Sequence, residues 1–226
     1  IHWAVEPKSQ GLLLDHPAVD QIVLFDRPRG LPAFFRLLRE VRAGNYSIVI
    51  DLQRHLKSGL VTIATGAKRR IGFNRKNTKE FNWLFSTERI AALDNFSPKI
   101  FQYQHFGDHL GLPKLDPLIF HLRPTPKALE HAMSLLAQGQ AAPTQYNKNK
   151  QLVGVVMGSS WLSRFWPVEH YAKLIREIAD RFALRSVLIG GEGERSFTDS
   201  VIAQTNAAQI VDTVAKGSLD DCLALL

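Results

Sequence analysis

Two segments in the second half of the chain place small, hydroxyl-bearing and charged residues directly after predicted strands. Residues 158–167 read GSSWLSRFWP after an apolar strand at 152–157, and residues 190–194 read GGEGE after a strand at 185–189. Ligands of open parallel sheets bind at the carboxyl ends of the strands. Backbone N–H groups, hydroxyls and a guanidinium there suit a pyrophosphate, and a carboxylate just beyond a strand accepts hydrogen bonds from ribose hydroxyls. The candidate ligand contacts are Ser159, Ser160, Arg164, Gly190, Gly191, Glu192 and Glu194.

Several familiar catalytic and cofactor motifs are missing from the sequence. It has no G-x-G-x-x-G fingerprint, so a nucleoside diphosphate is a better candidate ligand than a dinucleotide. It has no P-loop, no G-x-S-x-G and no Ser/His/Asp order, which disfavours phosphate-transferring NTPases and hydrolases. No pair of histidines has metal-ligand spacing with an acidic partner, so we expect neither a metal nor a cofactor. Taken alone, the turn at 158–160 also fits an ordinary turn and helix start without a ligand.

The excess positive charge lies entirely in the first half of the chain. The net charge of the chain is +7, and residues 1–124 carry 18 basic and 11 acidic residues, which accounts for all of it. Eight basic residues and no acidic residue lie between Arg54 and Lys79. Such a field attracts anions and leaves three partners open: nucleic acid, a phosphorylated membrane surface or an anionic small substrate. A solvated basic face without a ligand is the simplest alternative.

Polar and basic residues also follow the predicted strand at 46–52. The segment DLQRHLKSG at 51–59 spans the strand end and the first turn of a predicted helix, and RRIGF at 69–73 is expected to bring two more arginines to the same edge. We expect Asp51 to be structural, capping or orienting its neighbours. The candidate ligand contacts here are Gln53, Arg54, Lys57, Ser58, Arg69 and Arg70.

Strand-like apolar runs alternate with amphipathic helical patterns along the chain, which predicts an α/β fold with mainly parallel sheets. The strand at 46–52 is apolar enough to be buried on both faces. Residues 136–150 are polar and lack periodicity, so they form the best candidate linker. The sequence therefore predicts two Rossmann-like domains, a basic one at 1–135 and a neutral one at 151–226.

Composition excludes several classes of protein. The chain is 45% hydrophobic and 22% charged, as in ordinary globular domains. No apolar run reaches the ~18 residues of a membrane-spanning helix, and no export signal is visible. The single cysteine, Cys222, excludes an internal disulfide and favours a reducing compartment. The chain begins without Met inside a strand-like segment, so we expect it to belong to something longer.

Three pairs of motifs together resemble the glycosyltransferase family 9 heptosyltransferases. They are IHWAVEP with LLLDHPAVDQIV, IDLQRHLKSG with RRIGF, and GSSWLSRFWPVEHYAKLI with VLIGGEGE. The resemblance implies a GT-B fold, in which two Rossmann-like domains face a cleft. It implies that the first domain receives the inner core of lipopolysaccharide and that the second holds ADP-L-glycero-β-D-manno-heptose. The reaction implied is transfer of heptose, with inversion, onto Kdo or a preceding heptose.

The resemblance also implies roles for residues on the donor side. Ser159, Ser160 and Arg164 match positions that contact the donor diphosphate, with Arg164 where the family more often has lysine. Glu194, or Glu192 if the alignment slides, matches a carboxylate near the adenosine ribose.

On the acceptor side, Arg54, Lys57 and Arg70 fall where the family has basic contacts. The family's general base would precede Ile1, and its Asp-x-Gly-x-x-His donor motif would follow Leu226. No residue of the chain is therefore nominated as the catalytic base.

The partners implied are ADP-heptose and the anionic lipopolysaccharide inner core, without nucleic acid. The implied location is cytoplasmic, with peripheral contact at the inner face of the inner membrane. Three alternatives stay open: a GT-B transferase that uses another nucleotide sugar, a basic nucleic-acid-binding module, and a non-catalytic member of the family.

Overall fold

Two α/β units, each formed mainly by one half of the chain, make up the structure. The computed structural model describes residues 1–114, 116–138, 151–159 and 161–226. The first unit comprises residues 1–10 and 17–121, and the second comprises residues 11–16 and 122–226. Every strand pair within these described residues is parallel, in agreement with the predicted mainly parallel sheets.

The first unit contains two separate parallel sheets. Strand β1 (His2–Val5) pairs with β2 (Gln21–Leu24), and the second sheet has the order β3-β4-β5. The remaining elements of this unit are β3 (Ile48–Ile50), β4 (Arg69–Gly72), β5 (Glu88–Arg89), α1 (Gly30–Ala43), α2 (Leu56–Ala64) and α3 (Lys99–His109).

Helix α1 covers the first sheet through residues spaced by four. Ala33, Leu37 and Val41 are buried, and the last two pack with Val23 of β2. This spacing places the three side chains on one face of a helix with 3.6 residues per turn. The helix therefore forms for the reason that the apolar pattern predicts.

A second core lies at the other sheet. Ile71, Phe73, Ile90 and Phe106 pack together, and the rings of Phe73 and Phe106 meet edge to face with centroids 4.9 Å apart. This core attaches α3 to the carboxyl end of β4.

The prediction that the 46–52 strand is buried on both faces is wrong. Only Ile48–Ile50 form the strand, and Ile48 and Ile50 are 41% and 40% exposed. Ile48 and Ile50 are two positions apart and therefore share one face of the sheet, which is left partly uncovered at β3.

The second unit is a three-stranded parallel sheet with helices. Its strand order is β6-β7-β8, and all five residues of the central strand β7 are buried. The elements are α4 (Pro126–Gln138), β6 (Leu152–Val156), α5 (Val168–Phe182), β7 (Arg185–Ile189), α6 (Arg195–Ile202), β8 (Ile210–Asp212) and α7 (Leu219–Leu225).

Helix α4 belongs to the second unit, although the sequence analysis assigns residues 1–135 to the first domain. It packs against α7 and β8, and the imidazole Nδ1 of His131 lies 2.9 Å from Oδ1 of Asp221. The division between the units therefore falls at 121/122. Most of the expected linker, residues 139–150, lies outside the described residues.

Helix α7 begins at a capping box. The Ser218 hydroxyl accepts a hydrogen bond from the Asp221 N–H at 3.2 Å, and the Asp221 carboxylate accepts one from the Ser218 N–H at 2.6 Å. These bonds satisfy N–H groups that have no partner within the helix. Of all the helices in the described residues, none is long and apolar enough to cross a membrane.

Candidate functional site

In the second unit, both predicted ligand loops leave the sheet side by side. Val156 of β6 lies opposite Ile189 of β7, and the Met157 N–H donates to the Ile189 carbonyl at 2.9 Å. Gly158 and Gly190 follow directly. The sheet register therefore brings the two segments to one edge, the carboxyl edge at which parallel sheets bind ligands.

Glu194 connects the two loops. Its Oε2 accepts a hydrogen bond of 2.8 Å from the Gly191 N–H, and its side chain lies against Gly158, the residue that follows β6 and Met157. A Cβ added at Gly158 would lie 2.3 Å from the Glu194 Cγ, so any other residue there would displace the Glu194 side chain. Glu192 is exposed on the same short turn. Of the two candidate carboxylates, Glu194 is the one held at the strand ends.

The remaining predicted donor contacts lie on the loop after β6. Ser159 is half-buried beside Gly158, and Arg164 is exposed on a single helical turn where its N–H donates to the Trp161 carbonyl at 2.9 Å. Ser160 lies outside the described residues. Arg164 is thus an exposed residue of the loop that leaves this edge of the sheet.

An aromatic cluster that the sequence analysis missed holds this loop. Phe165 meets Phe197 of α6 edge to face at 5.0 Å, and Trp166 meets Tyr171 of α5 at 5.5 Å. The Tyr171 hydroxyl donates to the Val156 carbonyl at 3.1 Å, and burial raises the pKa of this phenol. The sequence pairs FW at 165–166 and HY at 170–171 were the available signal.

A charged network supports the neighbouring strand end, and sequence reasoning missed it as well. Arg195 donates to both oxygens of Asp212 at 3.0 Å, and Lys216 approaches Asp212 at 3.0 Å. Burial raises the pKa of Asp212, but hydrogen bonds from Lys216 and Arg195 outweigh it, so the net shift is downward. The segment after β8 is also bonded to the loop after β7, because the Ala215 N–H donates to the Gly190 carbonyl at 3.1 Å.

In the first unit, Asp51 organises the turn after β3. Its carboxylate accepts hydrogen bonds from the Gln53 N–H at 2.8 Å, the Ser58 hydroxyl at 2.9 Å and the Asn82 amide at 2.8 Å. Burial raises the pKa of Asp51, and the three hydrogen bonds act in the opposite direction. The expectation of a structural role agrees with these contacts, which also engage the Ser58 hydroxyl.

Arg54 lies at the same edge in a fixed orientation. Its guanidinium carbon sits 4.1 Å from the centroid of the Phe73 ring, and it donates to Asn95 Oδ1 at 3.2 Å and to Gln102 Oε1. Gln53 and Lys57 are exposed nearby on the chain.

Arg69 and Arg70 lie at the opposite end of the sheet. Arg69 is paired in register with Ile48, the first residue of β3, and donates to both carboxylate oxygens of Glu88 at 2.7 and 3.0 Å. Arg70 donates to the carbonyls of Ala67 and Phe85 at 2.7 and 2.8 Å. The structure does not bring these two arginines to the edge that carries Arg54, because they open β4 rather than follow it.

Lys99 and Gln102 join the Arg54 edge, although neither was a candidate. Gln102 is fully buried, and its Oε1 also accepts a hydrogen bond from the Lys99 ammonium at 3.1 Å. Burial and the nearby charges of Arg54 and Lys79 lower the pKa of Lys99. Lys99 lies outside the basic segment 54–79, so the charge pattern of the sequence did not indicate it.

The described residues contain no group of three or more His, Cys, Asp or Glu side chains arranged to hold a metal ion.

Parallel sheets in two units, with small or basic residues at their carboxyl edges, define an α/β protein of the GT-B class, as the sequence predicted. A family model described as glycosyltransferase family 9 (heptosyltransferase) matches residues 34–226. The chain belongs to this family of glycosyltransferases.

Two curated relatives are lipopolysaccharide heptosyltransferases. The lipopolysaccharide core heptosyltransferase OpsX of Haemophilus influenzae is 27% identical over 116 residues, which cover 51% of this chain and 33% of OpsX. The lipopolysaccharide heptosyltransferase 1 of Campylobacter coli is 24% identical over 193 residues, 84% of this chain and 55% of that protein. The chain thus spans about half or less of these relatives.

Solved structures share the fold at low identity. A family 9 glycosyl transferase from Veillonella parvula has a TM-score of 0.80 at 18% identity. The match covers 100% of this chain and 63% of the Veillonella chain. The ADP-heptose lipopolysaccharide heptosyltransferase II of E. coli has a TM-score of 0.68 at 18% identity, with 100% and 66% covered. The E. coli heptosyltransferase WaaC, solved with ADP, has a TM-score of 0.63 at 19% identity, with 93% and 63% covered.

Proposed function

We propose that the protein transfers heptose from ADP-L-glycero-β-D-manno-heptose to Kdo or heptose of the lipopolysaccharide inner core, with inversion at the anomeric carbon. The second unit, which comprises residues 11–16 and 122–226 where the sequence predicted 151–226, binds the donor. The first unit binds the acceptor. The observation that carries this proposal is the Glu194 side chain, which joins the loops after β6 and β7 at one sheet edge of a family 9 chain.

The chemistry of that edge suits a nucleoside diphosphate. The backbone N–H groups of the loops, the hydroxyls of Ser159 and Ser160 and the guanidinium of Arg164 bind the diphosphate. Glu194, or Glu192 beside it, accepts hydrogen bonds from the ribose. Gly190 and Gly191 let the ligand approach the backbone closely.

The chemistry of the first unit suits an anionic acceptor. Gln53, Arg54, Lys57 and Ser58 follow β3, and the whole excess charge of +7 lies in residues 1–124. Carboxylates and phosphates of an inner-core acceptor are attracted by this field. The same cationic unit supports peripheral contact with the anionic inner face of the membrane, near the lipid end of the acceptor.

The reaction proceeds by direct displacement. A carboxylate removes the proton of the acceptor hydroxyl, which attacks the anomeric carbon as ADP departs. Arg164, the hydroxyls and the backbone amides offset the charge that develops on the diphosphate. We do not assign the base to Asp51, because its two oxygens already accept three hydrogen bonds.

Calorimetric titration of the intact protein with ADP, UDP and GDP tests the donor assignment. We expect ADP to bind most tightly and Glu194→Gln to weaken all three nucleotides, because the ribose is common to them. Tighter binding of UDP or GDP would favour a GT-B transferase with another donor. Salt-sensitive binding of random oligonucleotides without ADP affinity would favour a nucleic-acid-binding module.

A further inference from the structure

The buried amide of Gln102 holds two cations of the first unit in place. Its Nε2 donates to the carbonyls of Ser97 at 2.7 Å, Asn95 at 3.3 Å and Asp94 at 3.5 Å. These bonds fix the orientation of the Gln102 side-chain amide. If the amide were flipped, its oxygen would face three carbonyl oxygens and none of them would have a donor. The opposite oxygen is therefore presented to the donors of Arg54 and Lys99.

The guanidinium of Arg54 is restrained on two further sides. One is the Phe73 ring, and the other is the Asn95 side chain. Asn95 is itself held by the buried Asn77, whose amide donates to Asn95 Oδ1 at 3.0 Å and to the Leu93 carbonyl at 2.8 Å. Arg54 is thus oriented before any ligand arrives, which reduces the entropy lost on binding.

The positive charges at this place repel one another. Lys79 is a third cation, tied to Arg54 by a backbone hydrogen bond of 2.8 Å. Burial, followed by the charges of Arg54 and Lys79, lowers the pKa of Lys99. Within the described part of the chain, neither Arg54 nor Lys99 forms an ion pair with a carboxylate. Asp94 contacts Gln102 through its backbone carbonyl, and its carboxylate accepts a hydrogen bond from the Phe96 N–H at 2.9 Å. A bound anion would relieve this repulsion.

We infer that Arg54 and Lys99 form a binding site for a phosphate group, with Gln102 as the positioning residue that orients both cations. A guanidinium and an ammonium, with Lys79 close by, match the charge of a phosphate better than that of a single carboxylate. The assignment of this phosphate to the sugar acceptor rests on the proposed function, whereas phosphate binding itself does not.

The side-chain amide signal of Gln102 in ¹⁵N NMR spectra reports directly on this site. We expect inorganic phosphate, added to the intact protein at neutral pH, to shift this signal in a saturable way. Lys99→Gln raises the half-saturating concentration about tenfold, which corresponds to about 1.4 kcal/mol. Lys99→Arg retains binding, because the charge stays. Lys76→Gln, an exposed control in the basic segment, leaves the titration unchanged.

Three outcomes would overturn the inference: no saturable shift, equal effects of Lys99→Gln and Lys76→Gln, or a response to acetate at matched ionic strength as strong as the response to phosphate. ADP titrations of the same samples separate this inference from the proposed function. Normal ADP selectivity without phosphate binding rejects the phosphate site alone. Phosphate binding without ADP selectivity supports the site and rejects the donor assignment.

Discussion

Glu194 lies so close to Gly158 that a Cβ at position 158 would be 2.3 Å from the Glu194 Cγ. The two residues belong to different loops, which follow neighbouring parallel strands. Their contact determines how close the loops come together. It also favours glycine at position 158, because a Cβ there would displace the Glu194 side chain.

Replacing Gly158 by alanine should therefore disturb the carboxyl edge of the second-unit sheet, where we propose that ADP binds. We expect a loss of stability of about 1–3 kcal/mol, the usual cost of overpacking, together with weaker ADP binding as Glu194 moves away. Gly193→Ala is the matched control, since nothing lies within 4 Å of a Cβ there. Urea unfolding and ADP calorimetry measure both effects, and equal behaviour of the two variants would contradict the account.

Arg164→Ala should slow the reaction of the intact enzyme. Removal of one group that stabilises developing charge lowers kcat by about 10²–10³. Arg181→Ala is the control, because Arg181 is exposed on α5 and pairs with Glu177. Steady-state kinetics with ADP-heptose checks the difference, and an unchanged kcat for Arg164→Ala would remove this residue from the mechanism.

Gln102→Leu should destabilise the first unit. The substitution leaves carbonyls of the 94–97 loop without their donor and removes the acceptor shared by Arg54 and Lys99. Each unsatisfied buried group costs about 1–3 kcal/mol. Gln104→Leu, half-buried on the same helix, should change stability by less than about 0.5 kcal/mol. Comparable unfolding midpoints for the two variants would show that the Gln102 amide is not structurally required.

Glu88 should contribute stability that disappears in acid. Hydrogen bonds from Arg69 and His109 lower its pKa from 4.5 to about 2. Because the folded-state pKa lies below the unfolded one, the contribution is present above pH 4.5 and is lost as the pH falls towards 2. Urea unfolding of the wild type and Glu88→Gln across this range should give curves that converge at low pH. Curves that stay parallel throughout would refute the coupling.

Local patterns predicted the elements of the fold well. The strand predicted at 185–189 is confirmed at Arg185–Ile189, and the strand predicted at 152–157 is observed as Leu152–Val156. Ser218, which caps the last helix, is one of the residue types that local sequence rules favour at a helix start. These signals succeed because periodicity and capping depend on residues only a few positions apart.

Features that depend on distant contacts were not predictable in the same way. The RRIGF segment was expected beside Arg54, but the strand register places its arginines at the opposite end. Lys99 reaches the Arg54 edge only because Phe106 packs α3 against Phe73. Likewise, the second-unit network around Asp212 draws on a helix and a strand end, a combination that no local pattern indicates.

The most direct test of the account is a crystal structure of the intact protein with ADP. The account predicts the diphosphate within hydrogen-bond distance of Ser159 and Arg164, and the ribose beside Glu194. Nucleotide density in the first unit, or in the second unit away from the β6 and β7 strand ends, would contradict it.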